Sequence, residues 1–346
     1  MSPFAILAFK IREIMVYLSN DRLRKFETTL LMRTSIKTVL ENYQTRKTRL
    51  QKEEFIQWLN PHLNEQGYQI KTQKFKKGRG KNLIIGNPET AEIILTAHYD
   101  TPPNAIIPIA TIVGSIPMYI MSQILIFLPI VGLLWLAYRG ISSILGNLGI
   151  LSNLAPFLWF EIPLLVLLAL ILWSLQMMMG LANKNNANDN TSGVSVMLAL
   201  LEDLPQQLRE KVCFVFFDEE EKGLEGAKVF KQRYRESIKN KPLINFDCVA
   251  HGQQLLFISK KSFCESDFYH KLELAVGDKG LMKNAIHYAY ASDQLIFKLG
   301  VGVVAVHKLP LVGYYLSRLH SRWDKSFDEN NIEKIAQIML KFISSI

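Results

Sequence analysis

The sequence predicts an α/β fold, a central sheet with helices on both faces, interrupted by a transmembrane helical hairpin. Two observations predict the sheet and its helices. Short apolar runs bounded by Gly, Pro and polar residues read as strands, and stretches of helix-like apolar spacing alternate with them. A third observation predicts the hairpin. No charge occurs from Thr101 to Tyr138, Arg139 follows, and after Glu161 there is none until Lys184. Over the 346 residues, 49% are hydrophobic and 21% charged. The first share is slightly high and the second slightly low for a soluble protein, and the uncharged stretch is the local cause.

Residues 1 to about 66 read as helical. In 47–67, Leu50, Phe55, Ile56, Leu59 and Leu63 recur at helical spacing, Gly67 stands where a C-cap would, and Pro61 predicts a kink or restart. The period then changes to two, with Tyr68, Ile70 and Thr72 alternating with Gln69, Lys71 and Gln73. Residues 82–86 and 93–97 read as further strands. The segments 118–138 and 163–181 are each long enough to cross a bilayer core of ~30 Å at ~1.5 Å per residue. A domain of this size cannot readily enclose helices that are apolar on every face, which favours the membrane over a soluble core. Beyond Lys184 the pattern is globular again. Helices are expected at 193–204 (ended by Pro205), 226–237, 268–276 and 331–346, and strands at 211–217, 243–246, 254–258 and 301–306. The chain is therefore divided into a first part of the globular domain with N-terminal helices (1–101), a membrane-embedded helical insertion (102–183), and a second part (184–346).

The net charge is +9. No arginine-rich arm or basic–aromatic motif accompanies it, so nucleic acid is not an expected partner. Lys74, Lys76, Lys77, Arg79 and Lys81 read as a solvated hairpin turn. Cys213, Cys248 and Cys264 are odd in number and lack CxxC spacing, which suggests free thiols and a reducing compartment. Lys10, Arg12 and Glu13 break the apolar start, unlike a secretory signal peptide.

Polar clusters sit mostly at or just past the ends of expected strands, where open α/β sheets place their sites. In Ala97-His98-Tyr99-Asp100-Thr101, the imidazole suits a metal and Asp100 could hold it from behind; a polar strand end is the plain alternative. In Ala187-Asn188-Asp189-Asn190-Thr191-Ser192-Gly193, Asp189 or Ser192 could simply cap a helix. The apolar strand 211–217 runs straight into Asp218-Glu219-Glu220-Glu221. Such a run is usually solvated, but carboxylates crowded off a buried strand raise one another's pKa and favour a cation. Later come Asn245-Phe246-Asp247, Ser292-Asp293 and Leu319-His320-Ser321-Arg322-Trp323-Asp324, each of which has a surface carboxylate or a satisfied histidine as its alternative. Together these clusters give His, Asp, Glu-Glu, Asp and His in chain order. Oxygen ligands with two imidazoles and no cysteine suit a pair of divalent ions such as zinc, one carboxylate bridging them.

On these motifs (AHYDT, ANDNTSG, EEKGLEGA, NFD, SDQ and LHSRWD, in order and spacing) the chain resembles the co-catalytic zinc aminopeptidase family. That family includes relatives of bacterial leucyl aminopeptidase, glutamate carboxypeptidase II, the transferrin receptor ectodomain and glutaminyl cyclase. The resemblance covers residues 47–101 and 184–346. It implies a zinc aminopeptidase-like α/β fold with a mixed central sheet, two Zn2+ ions or another divalent metal, and a peptide substrate. It also implies roles. His98 and Asp247 would hold one metal, Glu221 and His320 the second, and Asp189 would bridge both. Glu220 would be the general base and Asp100 would orient His98, while Asp293 and Asp324 occupy motif positions of less defined role. The departures are the long insertion, GLEGA in place of GLxGS, and SDQ in place of SDH; the last two touch substrate contacts.

The insertion leaves after Asp100 and returns before Asp189, so both ends lie on one side and the crossings are even in number, most simply two. The Lys- and Arg-rich flanks place the globular domain on the cytoplasmic side by the positive-inside tendency. Both roots of the hairpin adjoin expected ligands, so the site should lie near the membrane surface. There the insertion would restrict access or favour membrane-proximal peptides. Two alternatives stand beside a membrane-anchored aminopeptidase: a one-zinc glutaminyl-cyclase-like acyltransferase, and a non-catalytic membrane binding protein. The oligomeric state is left open.

Overall fold

The computed structural model describes residues 32–105, 107–147 and 158–346. The helical expectation over 1–31, and most of the link between the two apolar segments, lie outside the described residues.

Two helices open the described chain, α1 (Thr34–Asn42) and α2 (Arg49–Glu65). A capping box starts α2. Thr48 Oγ accepts from Gln51 N, and the Gln51 side chain accepts from Thr48 N at 2.9 Å. The helix runs as one element through Pro61, without the kink or restart that the proline predicts. Strands β1 (Ile70–Phe75) and β2 (Gly80–Ile85) form an antiparallel hairpin, with the basic run at its turn. That turn is not wholly solvated: Lys76 Nζ lies 3.4 Å from both Glu219 and Glu225.

Next come β3 (Ile93–His98), β4 (Ile109–Val113), and the apolar helices α3 (Ile116–Asn147) and α4 (Leu158–Met179). After them follow α5 (Ser192–Asp203), β5 (Val212–Phe217), α6 (Glu225–Ile238), β6 (Leu243–Phe246), β7 (Gln254–Ser259) and α7 (Asp267–Val276). The chain ends with β8 (Leu281–Asn284), β9 (Gly300–Leu309), β10 (Gly313–Leu319) and α8 (Glu329–Ser345).

The strands make one 10-stranded mixed sheet of order β1-β2-β5-β3-β6-β9-β10-β4, with β7 on β9 and β8 on β7. Its centre is parallel: β3 pairs in parallel with both β5 and β6, and β6 with β9. The flanking pairs are antiparallel except β7 with β8, which is parallel. Alternate strand residues feed opposite faces. Leu95, Phe214, Phe216 and Ile244 face α1, α2, α5 and α8, while Ile94, Cys213, Val215 and Phe217 face α6. This is the expected layering of helices on both faces.

Three strands were not legible in the sequence. β4 lies inside the segment read as a helical insertion and pairs antiparallel with β10. Only Gly114 and Ser115 separate its apolar run from α3. β10 alternates only weakly, and β8 is a short strand with no fully buried residue.

Helix α3 contains, over Ile116–Ile144, the one described span long and apolar enough to cross a membrane, and 11% of its most apolar window is buried. The comparable run of α4, Pro163–Gln176, is shorter. The two helices touch, with the rings of Phe127 and Trp173 5.5 Å apart edge to face. Their roots are zipped together: Asn104 N donates to Leu181 O at 2.7 Å, and Pro103 bridges Ala182. All three cysteines are free.

Phe217 closes β5 directly before the acidic run, with its ring 5.6 Å from that of Phe230 and 6.0 Å from that of Phe297. Phe217→Ala is expected to destabilise the folded protein by about 3–5 kcal/mol, read as a lowered denaturation midpoint. A shift under about 1 kcal/mol would mean that this cluster collapses to fill the void.

Candidate metal centre

Because β3, β5 and β6 run parallel, their carboxyl ends open on one edge of the sheet. His98 ends β3, the acidic run follows β5, and Asp247 follows β6. Asp189 comes from a buried turn, Ala187–Thr191, ahead of α5, and His320 follows β10.

These side chains meet. His98 Nε2 lies 3.5 Å from Asp189 Oδ1 and 3.5 Å from Asp247 Oδ1. His320 Nε2 lies 3.1 Å from Asp189 Oδ2 and 3.5 Å from Glu221 Oε2. Within each set (His98, Asp189, Asp247 and Asp189, Glu221, His320) the ligand atoms are all within 4.8 Å of one another, and Glu220 forms such a set with His98 and Glu221. Asp189 belongs to two sets and offers a different oxygen to each histidine.

Backbone hydrogen bonds fix this arrangement. Asp100 receives Glu220 N at 3.0 Å and Glu221 N at 3.3 Å on its carboxylate, while its own carbonyl lies 3.1 Å from His98 Nδ1. It therefore ties His98 to the acidic loop. Asp324 holds the Asp189 turn, accepting from Asn188 N and Asp189 N, both at 2.9 Å. Ser192 is not a helix cap: its hydroxyl donates to Asn188 O at 2.6 Å and accepts from Val249 N at 2.9 Å. A Cβ at Gly193 would collide with Phe246 O and the Asn190 side chain, so only glycine lets α5 start against β6. Asp293 is fully buried, and neither of its carboxyl oxygens has a hydrogen-bond partner.

Two buried cations escaped the sequence reading. Arg46 reaches Tyr99 O at 2.6 Å and the Thr191 hydroxyl at 3.2 Å, joining the end of β3 to the Asp189 turn. Lys52 pairs with Asp218 and lies 3.5 Å from Glu219. Spacing carried a signal for Lys52: it stands on the same helical face as Phe55 and Leu59, which are fully buried.

Burial dominates the electrostatics. It pushes the Glu220 and Glu221 carboxyls well above their usual range; the nearby acids add to this and His98 opposes it. Burial likewise pushes Asp293 and Asp324 up to about 8. At His98 burial works against the imidazolium, but Glu220, Asp100 and Asp247 outweigh it and hold the group well above its usual value. Asp100 and Asp247 are held low, the pull of His98 overcoming their burial. Carboxylates crowded and buried in this way favour a cation among them.

The donor set fits a metal. Buried Asp247 Oδ1, which faces His98, has no hydrogen-bond partner, and neither does Glu221 Oε1. Imidazole with carboxylate suits zinc or a similar borderline ion. Over the centre lies a cleft of about 200 Å³, walled also by Thr111 of β4 and by Tyr119 and Gln123 of α3.

The raised acids set a pH dependence. The folded, metal-free protein binds protons at Asp293 and Asp324 that the unfolded chain has released, so its stability falls as pH rises from about 4 toward about 8. Saturating divalent metal is expected to flatten that decline in thermal unfolding. A metal-free protein that gains stability over the same range would contradict the arrangement.

Residues 176–343 match peptidase family M28. Among solved structures, the chain is similar to the LapA aminopeptidase of Legionella pneumophila (13% identity, 89% of this chain and 69% of that one, TM-score 0.52). It is also similar to a Zn-dependent exopeptidase from Parabacteroides distasonis (14%, 89% and 94%, 0.51) and to a glutaminyl cyclase of Bacteroides thetaiotaomicron (15%, 90% and 95%, 0.52). No curated protein matched the sequence. At these identities the structural likeness speaks for the fold, and the family match speaks for the second half of the chain. Residues 176–343 are thus similar to peptidase family M28, and the chain has the mixed α/β fold also found in these aminopeptidase, exopeptidase and glutaminyl cyclase structures.

Proposed function

We propose that this protein is a membrane-anchored di-zinc metallopeptidase, an aminopeptidase that cleaves peptide bonds next to a free N-terminus. The observation that carries the reading is Asp189, whose two oxygens each face a separate histidine-containing ligand set. In this reading His98, Asp189 and Asp247 hold one ion, and Asp189, Glu221 and His320 hold the other. Bound zinc would polarise the scissile carbonyl and make water nucleophilic near neutral pH. Glu220 takes the proton of the attacking water and passes it to the leaving amine, as its position beside both His98 and Glu221 allows. Its backbone amide is anchored on Asp100, so Asp100 positions base and ligand together.

Membrane anchoring rests on α3 and α4, which expose Leu128, Leu133 and Leu164 at 55%, 66% and 65%. Contiguous apolar surface on that scale belongs against lipid. The organisation we infer is a catalytic domain in two parts, 1–101 and 184–346, around an insertion at 102–183. The catalytic domain is assigned to the cytoplasmic side on the positive charge of its flanks and its free cysteines.

The likeness to glutaminyl cyclases supports a second reading, cyclisation of N-terminal glutamine at one zinc. Metal content separates the two. Two ions per chain, with chelator-sensitive release of N-terminal residues from aminoacyl amides, supports the peptidase. One ion with cyclisation of glutaminyl peptides supports the cyclase, and no metal with no turnover on adding zinc back overturns both. Glu220→Gln is expected to lower kcat by about 10²–10⁴-fold while the metal content is retained. Near wild-type turnover in that variant would remove Glu220 from the mechanism.

A further inference from the structure

Helix α3 does more than leave the globular domain. Its inward face, Tyr119, Ser122, Gln123 and Ile126, follows the spacing of one helical stripe, and Ser122 and Ile126 are 5% and 7% exposed. The residues between them, Ile120, Met121, Ile124 and Leu125, are half exposed and wholly apolar. Polar side chains in an otherwise apolar membrane-length helix, gathered on the face turned to the protein, are the mark of a working surface. That face is fastened to the sheet. Ile112 N donates to Ser122 Oγ at 3.3 Å, Gln123 Nε2 lies 3.4 Å from Thr111 Oγ, and β4 pairs with β10, whose end carries His320.

Tyr119 and Gln123 line the same cleft as His98, Glu220 and Glu221. A second cavity of about 330 Å³ adjoins it and shares Tyr119, Tyr290 and Ala291 as a common wall. Its other walls include Ile116 and Ile120 of α3, with Tyr288 and Leu295 from the globular body. An apolar chamber beside a polar reacting centre is the general form of a site that selects by side chain.

We propose, resting on the peptidase reading, that the first turns of α3 are the substrate-selecting wall of this centre. Tyr119 and Gln123 contact the peptide backbone. The chamber formed with Ile116 and Ile120 receives a large apolar side chain next to the scissile bond. The substrates are then peptides with an apolar terminal residue. They approach along the lipid-facing side, because Ile120 belongs both to the chamber and to the exposed apolar surface of the helix.

The test uses the full chain in phospholipid nanodiscs with zinc, on leucyl, phenylalanyl and alanyl amides. The wild type is expected to favour leucyl and phenylalanyl over alanyl substrates in kcat/KM by about 10-fold or more. Ile120→Trp, which fills the chamber, should abolish that ratio mainly through KM. Ile124→Trp, one turn further on the lipid-facing side, should keep it and so controls for damage to the helix. In parallel, a leucyl peptide amide carrying a photoactivatable diazirine on its leucine should label residues 116–123, and unlabelled leucyl peptide should compete. A ratio that Ile120→Trp leaves unchanged overturns the proposal whatever the labelling shows. If no amide is hydrolysed, the peptidase reading falls and the labelling decides alone: competed label in 116–123 upholds a peptide-selecting wall, and label elsewhere overturns it.

Discussion

Asp189 lies between two imidazoles, with Oδ1 3.5 Å from His98 and Oδ2 3.1 Å from His320, in a cleft that also holds Glu220, Glu221 and Asp247. Like charges at about 4 Å repel by roughly 4 kcal/mol at the effective dielectric of a protein surface, and burial adds to the cost. Arg46 and Lys52 offset part of this from behind, through the Asp189 turn and the root of the acidic loop. What remains is expressed as retained protons or satisfied by bound cations. Much of the surrounding architecture follows from holding these acids together. Asp100 and Asp324 accept backbone amides so that the ligand loops cannot swing apart, and the parallel strands aim their ends at one point.

The centre was legible in the sequence because its residues follow strand ends, where a change from apolar to polar is abrupt. His98 after 93–97, Asp218–Glu221 after 211–217 and Asp247 after 243–246 all carry that mark. The sheet was less legible at its far side. β4 has the composition of the helix it precedes, and only its pairing with β10 makes it a strand. Arg46 and Lys52 were hidden for a different reason: a buried cation reads as a surface residue until its partners, distant in sequence, are known. Tyr119 and Gln123 were likewise absorbed into an uncharged stretch whose average hides its inward stripe.

The apolar helices are joined to the sheet through its edge strand, β4. One root supplies a strand, the two roots bond to each other, and both reach the His320 loop: Ala105 N donates to His320 O at 2.6 Å, and Asn183 Nδ2 to Ser321 O at 3.0 Å. His320 is therefore braced by residues at the foot of the apolar helices.

The pairing of β4 with β10 also orders events in time. β4 is synthesised before both apolar helices, and its partner only after α7 and β9. His98 must likewise wait for Asp189 and Asp247, and Asp189 in turn for His320. Such distant pairings make for slow closure. During synthesis His98 consequently stays unpartnered until β6 and the Asp247 that follows it have been made, and the set that contains His320 is complete only once β10 has docked. The full cluster thus comes into being only once the segment between its first and last side chains has found its place.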